Sequence, residues 1–258
     1  MLNPSCRAET RARSIVAVLL VTFAAACSGS DETVDASQGK DSPPTARWSS
    51  GVPVGLYFMT RFWPSSGSLE KSVWYFAPDG SVYRELIDGF SAADLAAHAG
   101  PTGKAVRIGE DLEITWQDGK KSKAGYSANA TGFGWDAGIF TPVKPIASAA
   151  PIAGSYEGGE SLSTGGGGGA VSRSIELRAD GTYVSGAAGS LTSRTDQSQV
   201  SAGASGSEGG KWTASNYSIT LTDHAGKVVR QIAFPYDDTS TPITPDHLYI
   251  GGTMYKKR

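Results

Sequence analysis

The chain has 258 residues, with 33 glycines against 3 methionines and a formal charge of −2. That length accommodates one large or two modest domains, and the glycine-rich balance favours strands and turns over helices. There is no basic stripe to recruit nucleic acid or an anionic membrane surface, and both cysteines, Cys6 and Cys27, lie in the first 27 residues, which excludes a disulfide or a cysteine-built metal site from the rest of the chain.

Residues 1–13 carry Arg7, Arg11 and Arg13 against one acid, Glu9, and the run from Ile15 to Ala26 is apolar. The run is shorter than the roughly 20 residues a membrane-spanning helix needs, and it lacks the polar face of a buried helix. A positive start, a short apolar stretch and small residues at its end predict a secretory signal peptide over 1–26. The stretch Ala24-Ala25-Ala26-Cys27-Ser28 resembles the lipobox of bacterial lipoproteins, with Ala24 standing where leucine is commonest. The resemblance implies diacylglycerol transfer to the Cys27 thiol, cleavage before it and acylation of the new amino group. Several acyl chains anchor a protein stably where one does not, so the expected partner of this end is a membrane. The expected location is the cell envelope; Ser28, in place of the aspartate associated with inner-membrane retention, points to the outer membrane if the organism has one. Beyond Cys27, residues up to 50 contain few large apolar side chains and predict a disordered tether, with Trp48 marking where docking begins.

From about residue 51 the chain is written twice. Gly55-Leu56-Tyr57 matches Gly154-Ser155-Tyr156, and Trp74 to Tyr83 matches Ile175 to Val184 without a gap. Asp111 to Trp116 matches Asn216 to Leu221, Asp118-Gly119-Lys120 matches Asp223 with Gly226-Lys227, and Ala137 to Phe140 matches Gly251 to Met254. The spacing between partners grows from 99 to 101, 105 and 114 residues, the drift expected of loop insertions between conserved blocks. The blocks read as strands: Leu112, Ile114 and Trp116 alternate with polar residues, as do Tyr217, Ile219 and Leu221, and as do Ile175 and Leu177. Val73 to Phe76 is apolar on both faces, which predicts a strand covered on both sides.

Pro78-Asp79-Gly80, Ala179-Asp180-Gly181 and Asp118-Gly119 predict tight hairpins, because glycine takes positive φ cheaply and aspartate tolerates it; Asp223 to Gly226 reads as a longer version. A short helix is expected over Ala92 to His98, capped by Ser91 with Asp94 three residues on and stopped by Gly100-Pro101. The stretch 186–210, rich in Ser, Gly and Thr, and the five-glycine run 165–169 read as mobile loops. The domain layout is therefore a first β module over 51–141, a linker over 142–152 and a second β module over 153–258. The fold class is all-β: two tandem antiparallel meanders, each a small barrel or half-barrel, with one short helix. The alternative is a single sandwich or barrel assembled from the two repeats. The Gly-x-Tyr opening, the meander and a closing strand with glycine resemble lipocalin-like domains of the calycin group, which open with Gly-x-Trp, so Tyr57 and Tyr156 depart from that pattern. The resemblance implies small barrels whose interiors are sealed by side chains or hold one apolar ligand.

Catalytic constellations are not evident. Asp223-His224 and Asp246-His247 are dipeptides whose members point to opposite faces of a strand, and His98 sits at a helix end. Ser68 and Lys71 have a Ser-x-x-Lys spacing without its companion motifs. The glycine run precedes a strand and cannot aim a helix N-terminus at a phosphate. No catalytic residue, cofactor or metal ligand is assigned. The aromatic crowd of the first module offers the candidate ligand-facing residues Tyr57, Trp63, Trp74, Phe76 and Trp116. The expected function is thus non-catalytic: a lipid-anchored barrel protein binding an apolar small molecule or cell-envelope component. The alternatives are a structural or protein-interaction lipoprotein and, third, a hydrolase.

Overall fold

The computed structural model of the chain describes residues 42–129, 132–164, 167–195, 198–236 and 245–258. The signal peptide, Cys27 and the first part of the tether lie outside the described residues. No helix among those described is long and apolar enough to cross a membrane.

Two closed antiparallel barrels follow one another. The first comprises β2 (Val52–Trp63), β3 (Ser68–Phe76), β4 (Ser81–Arg84), β5 (Thr102–Ile108), β6 (Asp111–Trp116), β7 (Lys121–Asn129), β8 (Gly132–Trp135) and β9 (Gly138–Pro142), each paired to the next, with β9 returning to β2. A short β1 (Arg47–Ser49) adds to the start of β2, and the helix α1 (Ala92–Ala97) lies between β4 and β5. The second barrel comprises β10 (Gly154–Thr164), β11 (Gly167–Leu177), β12 (Thr182–Thr195), β13 (Ser198–Ser215), β14 (Ser218–Asp223), β15 (Val228–Tyr236), β16 (His247–Ile250) and β17 (Thr253–Lys257), closed by β17 on β10. Two barrels, not one shared sandwich, is therefore the architecture.

Hairpin chemistry sets the register of both. Ala77, Trp116, Arg178 and Asp223 each open a three-residue loop closed by the same two backbone hydrogen bonds, as in Ala77 N–H to Ser81 O (2.8 Å) and Gly80 N–H to Ala77 O (2.9 Å). The third loop residue is a glycine with φ between 81° and 83° in all four, the turn-plus-bulge hairpin that needs a left-handed residue. The Asp223 loop is thus the same length as the Trp116 loop, not longer. These turns also fix the alignment of the repeats. Ala105 and Trp212 each donate to the carbonyl of the preceding turn glycine, Gly80 or Gly181, a spacing of 107 residues. Ile114 opposite Ala105 then corresponds to Leu221 opposite Trp212. The sequence match of Asp111–Trp116 to Asn216–Leu221 is therefore two residues out of register. A strand's alternation is unchanged by a shift of two, so the pattern alone could not detect the slip. At the last turn, Asp136-Ala137 corresponds to Gly251-Gly252, because Trp135 pairs with Gly138 as Ile250 pairs with Thr253. The sequence match there is one residue out, drawn to a shared glycine rather than to the turn.

The helix has the expected reciprocal cap: Asp94 N–H donates to Ser91 Oγ (3.1 Å) and Ser91 N–H donates to Asp94 Oδ2 (3.1 Å). Two other expectations change, residues 165, 166, 196 and 197 lying outside the described residues. The described residues of 186–210 are strand and not loop: β12 and β13 form a long antiparallel pair from Thr182↔Lys211 to Thr195↔Ser198. Gly167–Gly169 of the glycine run are paired to Leu162–Thr164 in β10. Glycine lowers strand propensity, but β12 is paired along its length on both sides, to β11 and to β13, and this ladder overrides it.

The last residues of the tether are docked, and so is the linker through Val143, Ile146 and Ile152. Pro43 is buried, Arg47–Ser49 form β1, and Trp48 stacks on Tyr126 at 4.8 Å and meets Phe133 edge-on at 5.3 Å. In the linker, Ile146 bridges to Asn216, a 3₁₀ turn spans Ala150–Ile152, and Ile146 and Ile152 are buried in the second core. In each barrel, then, the segment just before the Gly-x-Tyr strand packs on the lower end of the barrel. The glycine of that motif allows it. Gly55 has φ +114°, and a Cβ there would lie 2.6 Å from Ala46 Cα.

Three apolar clusters result. Tyr57, Met59, Trp74, Phe76, Val82, Leu112, Ile114, Phe133, Trp135 and Phe140 fill the first barrel. Tyr156, Ile175, Leu177, Tyr183, Trp212, Ile219, Leu221 and Ile250 form the second core. Between the barrels, Leu56, Phe58, Val73 and Tyr75 on the outside of β2 and β3 meet Ile232, Phe234 and Tyr249 of β15 and β16. The strand Val73 to Phe76 is covered on both sides, as its sequence predicts.

Two predictions follow from this packing. Asp136 and Ala137 hold φ of 48° and 59° where the second barrel has two glycines, so Ala137→Gly should raise stability by about 0.5–1 kcal/mol in urea titration. Burial pushes the phenols of Tyr57, Tyr75, Tyr156 and Tyr249 up to about 12. The unfolded chain releases these protons near pH 10 and the folded one near 12, so the contribution of these phenols to stability should be constant below pH 10 and be lost between pH 10 and 12. A tyrosinate absorbance titration should show these four ionising together with unfolding.

Candidate functional site

The turn-based register lets the two interiors be compared position by position. In the first barrel, inward-facing Met59, Trp74, Arg84, Trp135 and Phe140 occupy the upper half. Their counterparts in the second are Gly158, Ile175, Ser185, Ile250 and Tyr255. Four of the five replacements remove volume, and two of them remove an indole. One interior is consequently filled and the other is open.

The filled interior is aromatic. Trp74 meets Phe140 edge-on at 5.2 Å and Trp116 at 5.6 Å, and Phe133 stacks on Phe140 at 4.5 Å; such pairs contribute about 0.5–1.5 kcal/mol each beyond their buried area. Above these rings lies a roof of charge. Arg84 donates to Glu70 (3.0 Å), Trp63 Nε1 donates to the other Glu70 oxygen (2.9 Å), and Arg61 pairs with Asp136 (3.2 Å). The guanidiniums of Arg84 and Arg61 stand over Trp74 and Trp63 at 5.8 and 5.2 Å. Tyr57, Trp74 and Phe76, expected to face a ligand, are buried against one another. Trp63 is 42% exposed on the rim. Trp116 donates to Ser122 (2.9 Å) and borders an outer cleft with Arg84, Pro101 and Gln117.

The open interior is a cavity of about 390 Å³ at the mouth of the second barrel, within the range of small-molecule sites. Ile175, Leu221, Ile250 and Tyr255 form its floor; Ser185, Ala187, Gly206 and Gln231 line its wall; Arg173 and Glu208 stand at its rim. Burial raises the Tyr255 phenol, an effect partly offset by the charge of Arg173 and a hydrogen bond with Thr253. Tyr183, deeper in the barrel, is raised by burial and further by Glu208 and Asp223. A cation therefore acts on one side of the mouth and an anion on the other, above an apolar floor. The lower end is sealed: Tyr156 donates to Ile152 O (2.9 Å) and Trp212 Nε1 to Arg178 O (3.0 Å). Arg173, Glu208, Gln231 and Tyr255 were not singled out from sequence. The signal was the loss of bulk between the repeats, present at Trp74 and Ile175 in the sequence match and at Trp135 and Ile250 once the last turn is in register.

The remaining candidates for chemistry are accounted for by structure. His98 caps the helix and its Nε2 bonds Arg84 O (2.9 Å), while His224 lies in a turn and His247 opens β16. The turn carboxylates are held below the usual range by their own loops: Asp79 first by the Ser81 N–H, Asp118 by the Lys120 ammonium and Asp180 by the Thr182 hydroxyl. Ser68 and Lys71 lie three apart on β3 and so face opposite sides. Among the described residues no group of three or more His, Cys, Asp or Glu could hold a metal ion. Comparison with protein-family models, curated proteins and solved structures gives no match to this chain.

Glu70 is the anion that joins the roof: it accepts from Arg84 and from Trp63, and its loss leaves nearly buried Arg61 with Asp136 and Arg84 with Glu85 as their carboxylate partners. Glu70→Ala should therefore cost about 2–3 kcal/mol in equilibrium unfolding, whereas Asp118→Ala, which removes an exposed pair, should cost less than about 1 kcal/mol.

Proposed function

We propose that this chain is a lipid-anchored cell-envelope protein whose second barrel binds an apolar or amphiphilic small molecule without catalysis, the first barrel being a filled companion. The observation that carries this reading is the cavity over Ile175, Leu221, Ile250 and Tyr255, where smaller side chains replace Trp74, Arg84 and Trp135 of its sister. An apolar floor with a few polar groups at the rim suits a ligand that buries a hydrocarbon or aromatic part and leaves a polar end near Arg173 and Gln231. Attachment through Cys27 rests on the lipobox resemblance and is tested by the mass of the mature N-terminal peptide, which should carry acyl chains at Cys27; an unmodified thiol there would rule it out.

Ligand binding is tested with an environment-sensitive fluorophore, 1-anilinonaphthalene-8-sulfonate, displaced by medium-chain fatty acids or alcohols. Saturable binding to one site is expected. Ala187→Trp, which places an indole at the cavity wall without touching the core, should weaken it at least tenfold, and Trp63→Ala should leave it unchanged. Non-saturable binding, or equal binding by the Ala187→Trp chain, would rule the cavity out. A protein-interaction role finds its support elsewhere, on the outer face of the first barrel. There Phe62 and Leu69 pair across β2 and β3, and Ile139 is 64% exposed on the adjoining β9.

A further inference from the structure

The second barrel is lopsided. β14 to β17 stop at the cavity rim, but β10 to β13 continue past it as a free-standing four-stranded sheet. The ladder between β12 and β13 runs eight residues beyond Ala187, to Thr195, or about 26 Å at the usual rise. One side of this extension is an open edge. β14 pairs only with Gly210–Ser215 of β13, and among the described residues no strand pairs with the outer side of Ser198–Ser207. Trp212 N–H donates towards β12 and the register holds without a bulge to Ser198. Even-numbered residues of β13 therefore bond inward, and odd-numbered Gly203, Ser205 and Ser207 turn both N–H and C=O outward.

Proteins normally guard such an edge with lysine, proline, a bulge or a covering element. Among the described residues none of these is present. Ser198–Ser207 contains no charged residue and no proline, the register is unbroken, and no described helix or strand covers the edge. We propose that the β13 edge pairs antiparallel with the same edge of a second copy, joining two extensions into one continuous eight-stranded sheet. A second copy fits because the segment is uncharged and can face itself without repulsion. Pairing about a twofold at Gly203 sets Ser201 opposite Ser205, so outward-facing donors meet outward-facing acceptors. It also leaves the two Glu208 side chains at opposite ends of the ladder. A twofold contact of this kind closes on itself and yields a dimer, not a filament.

The test uses full-length chain in the membranes of the producing cells, carrying Gly203→Cys, Ser205→Cys or Ser207→Cys, with mild oxidation and separation without reductant. Opposed residues in an antiparallel pair lie close enough for a disulfide, so a band at twice the chain mass should form with at least one of the three. It should not form with the unsubstituted chain or with Val184→Cys, which lies exposed on a central strand of the same sheet. Adding Ser205→Pro to the Gly203→Cys or Ser207→Cys chain, or Gly203→Pro to the Ser205→Cys chain, should abolish the band, because each removes an outward N–H and no bond within the chain. The proposal is overturned if all three variants accept a maleimide label yet form no dimer. It is likewise overturned if Val184→Cys dimerises equally, or if the cross-linked product has the mass of a different partner.

Discussion

Everything in this molecule leans on two adjacent strands whose faces are both dry. Tyr57 and Met59 of β2 and Trp74 and Phe76 of β3 point into the first barrel, while Leu56, Phe58, Val73 and Tyr75 point at the second. A strand buried on one face needs only alternation; one buried on both must be apolar throughout. The same eight side chains thus form one barrel's core and the wall between two barrels. Phe58 lies 4.9 Å from Tyr236 and 5.9 Å from Tyr249, and Phe234 stacks on Tyr249 at 4.6 Å. With no cysteine after Cys27, the barrels have no disulfide and depend on this kind of packing, which lines both sides of the wall.

The repeats share strand order, turn chemistry and lower seals, yet they differ in what they enclose. The divergence is concentrated at a few inward positions of the upper half. Replacing Trp74 by Ile175 and Trp135 by Ile250 removes two indoles from the interior, whereas at Gly158 the place of the Met59 side chain is taken by Thr253 and Tyr255, which approach to within 2.8 and 3.3 Å of where a Cβ would be. Replacing Arg84 by Ser185 removes one of the cations of the roof. A barrel of eight strands is just wide enough for side chains to fill, so loss of a few large ones converts a solid core into a cup. The backbone need not change for the interior to do so.

The fold was legible in the sequence because its signals are local: Asp-Gly turns, alternation in Leu112–Trp116 and Tyr217–Leu221, and the Ser91–Asp94 cap. The long β12–β13 hairpin was not, because serine, glycine and alanine give no apolar period to read. The docked linker was missed because Ile146 and Ile152 are isolated among prolines and alanines. The cavity was missed for a sharper reason. Aromatic side chains drew attention to Tyr57, Trp74 and Phe76, but large side chains fill space, and a binding cup is written in the small ones. Ile175 and Ser185 already stand opposite Trp74 and Arg84 in the sequence match, but Ile250 stands opposite Trp135 only when the last turns are aligned on their pairing, Trp135 with Gly138 and Ile250 with Thr253.

The docked linker also bears on where one module ends and the next begins. Ile146 and Ile152 lie upstream of the first strand of the second barrel, yet they plug its base, and the phenol of Tyr156 is tied to the carbonyl of Ile152. Val143, a few residues earlier, belongs to the wall between the barrels and accepts the hydroxyl of Tyr217 on its carbonyl (3.3 Å). The inheritable unit of this architecture is therefore a barrel together with the stopper that precedes it in the chain. Any cut or fusion made at Gly154, where the strand begins, would separate a vessel from its own cork.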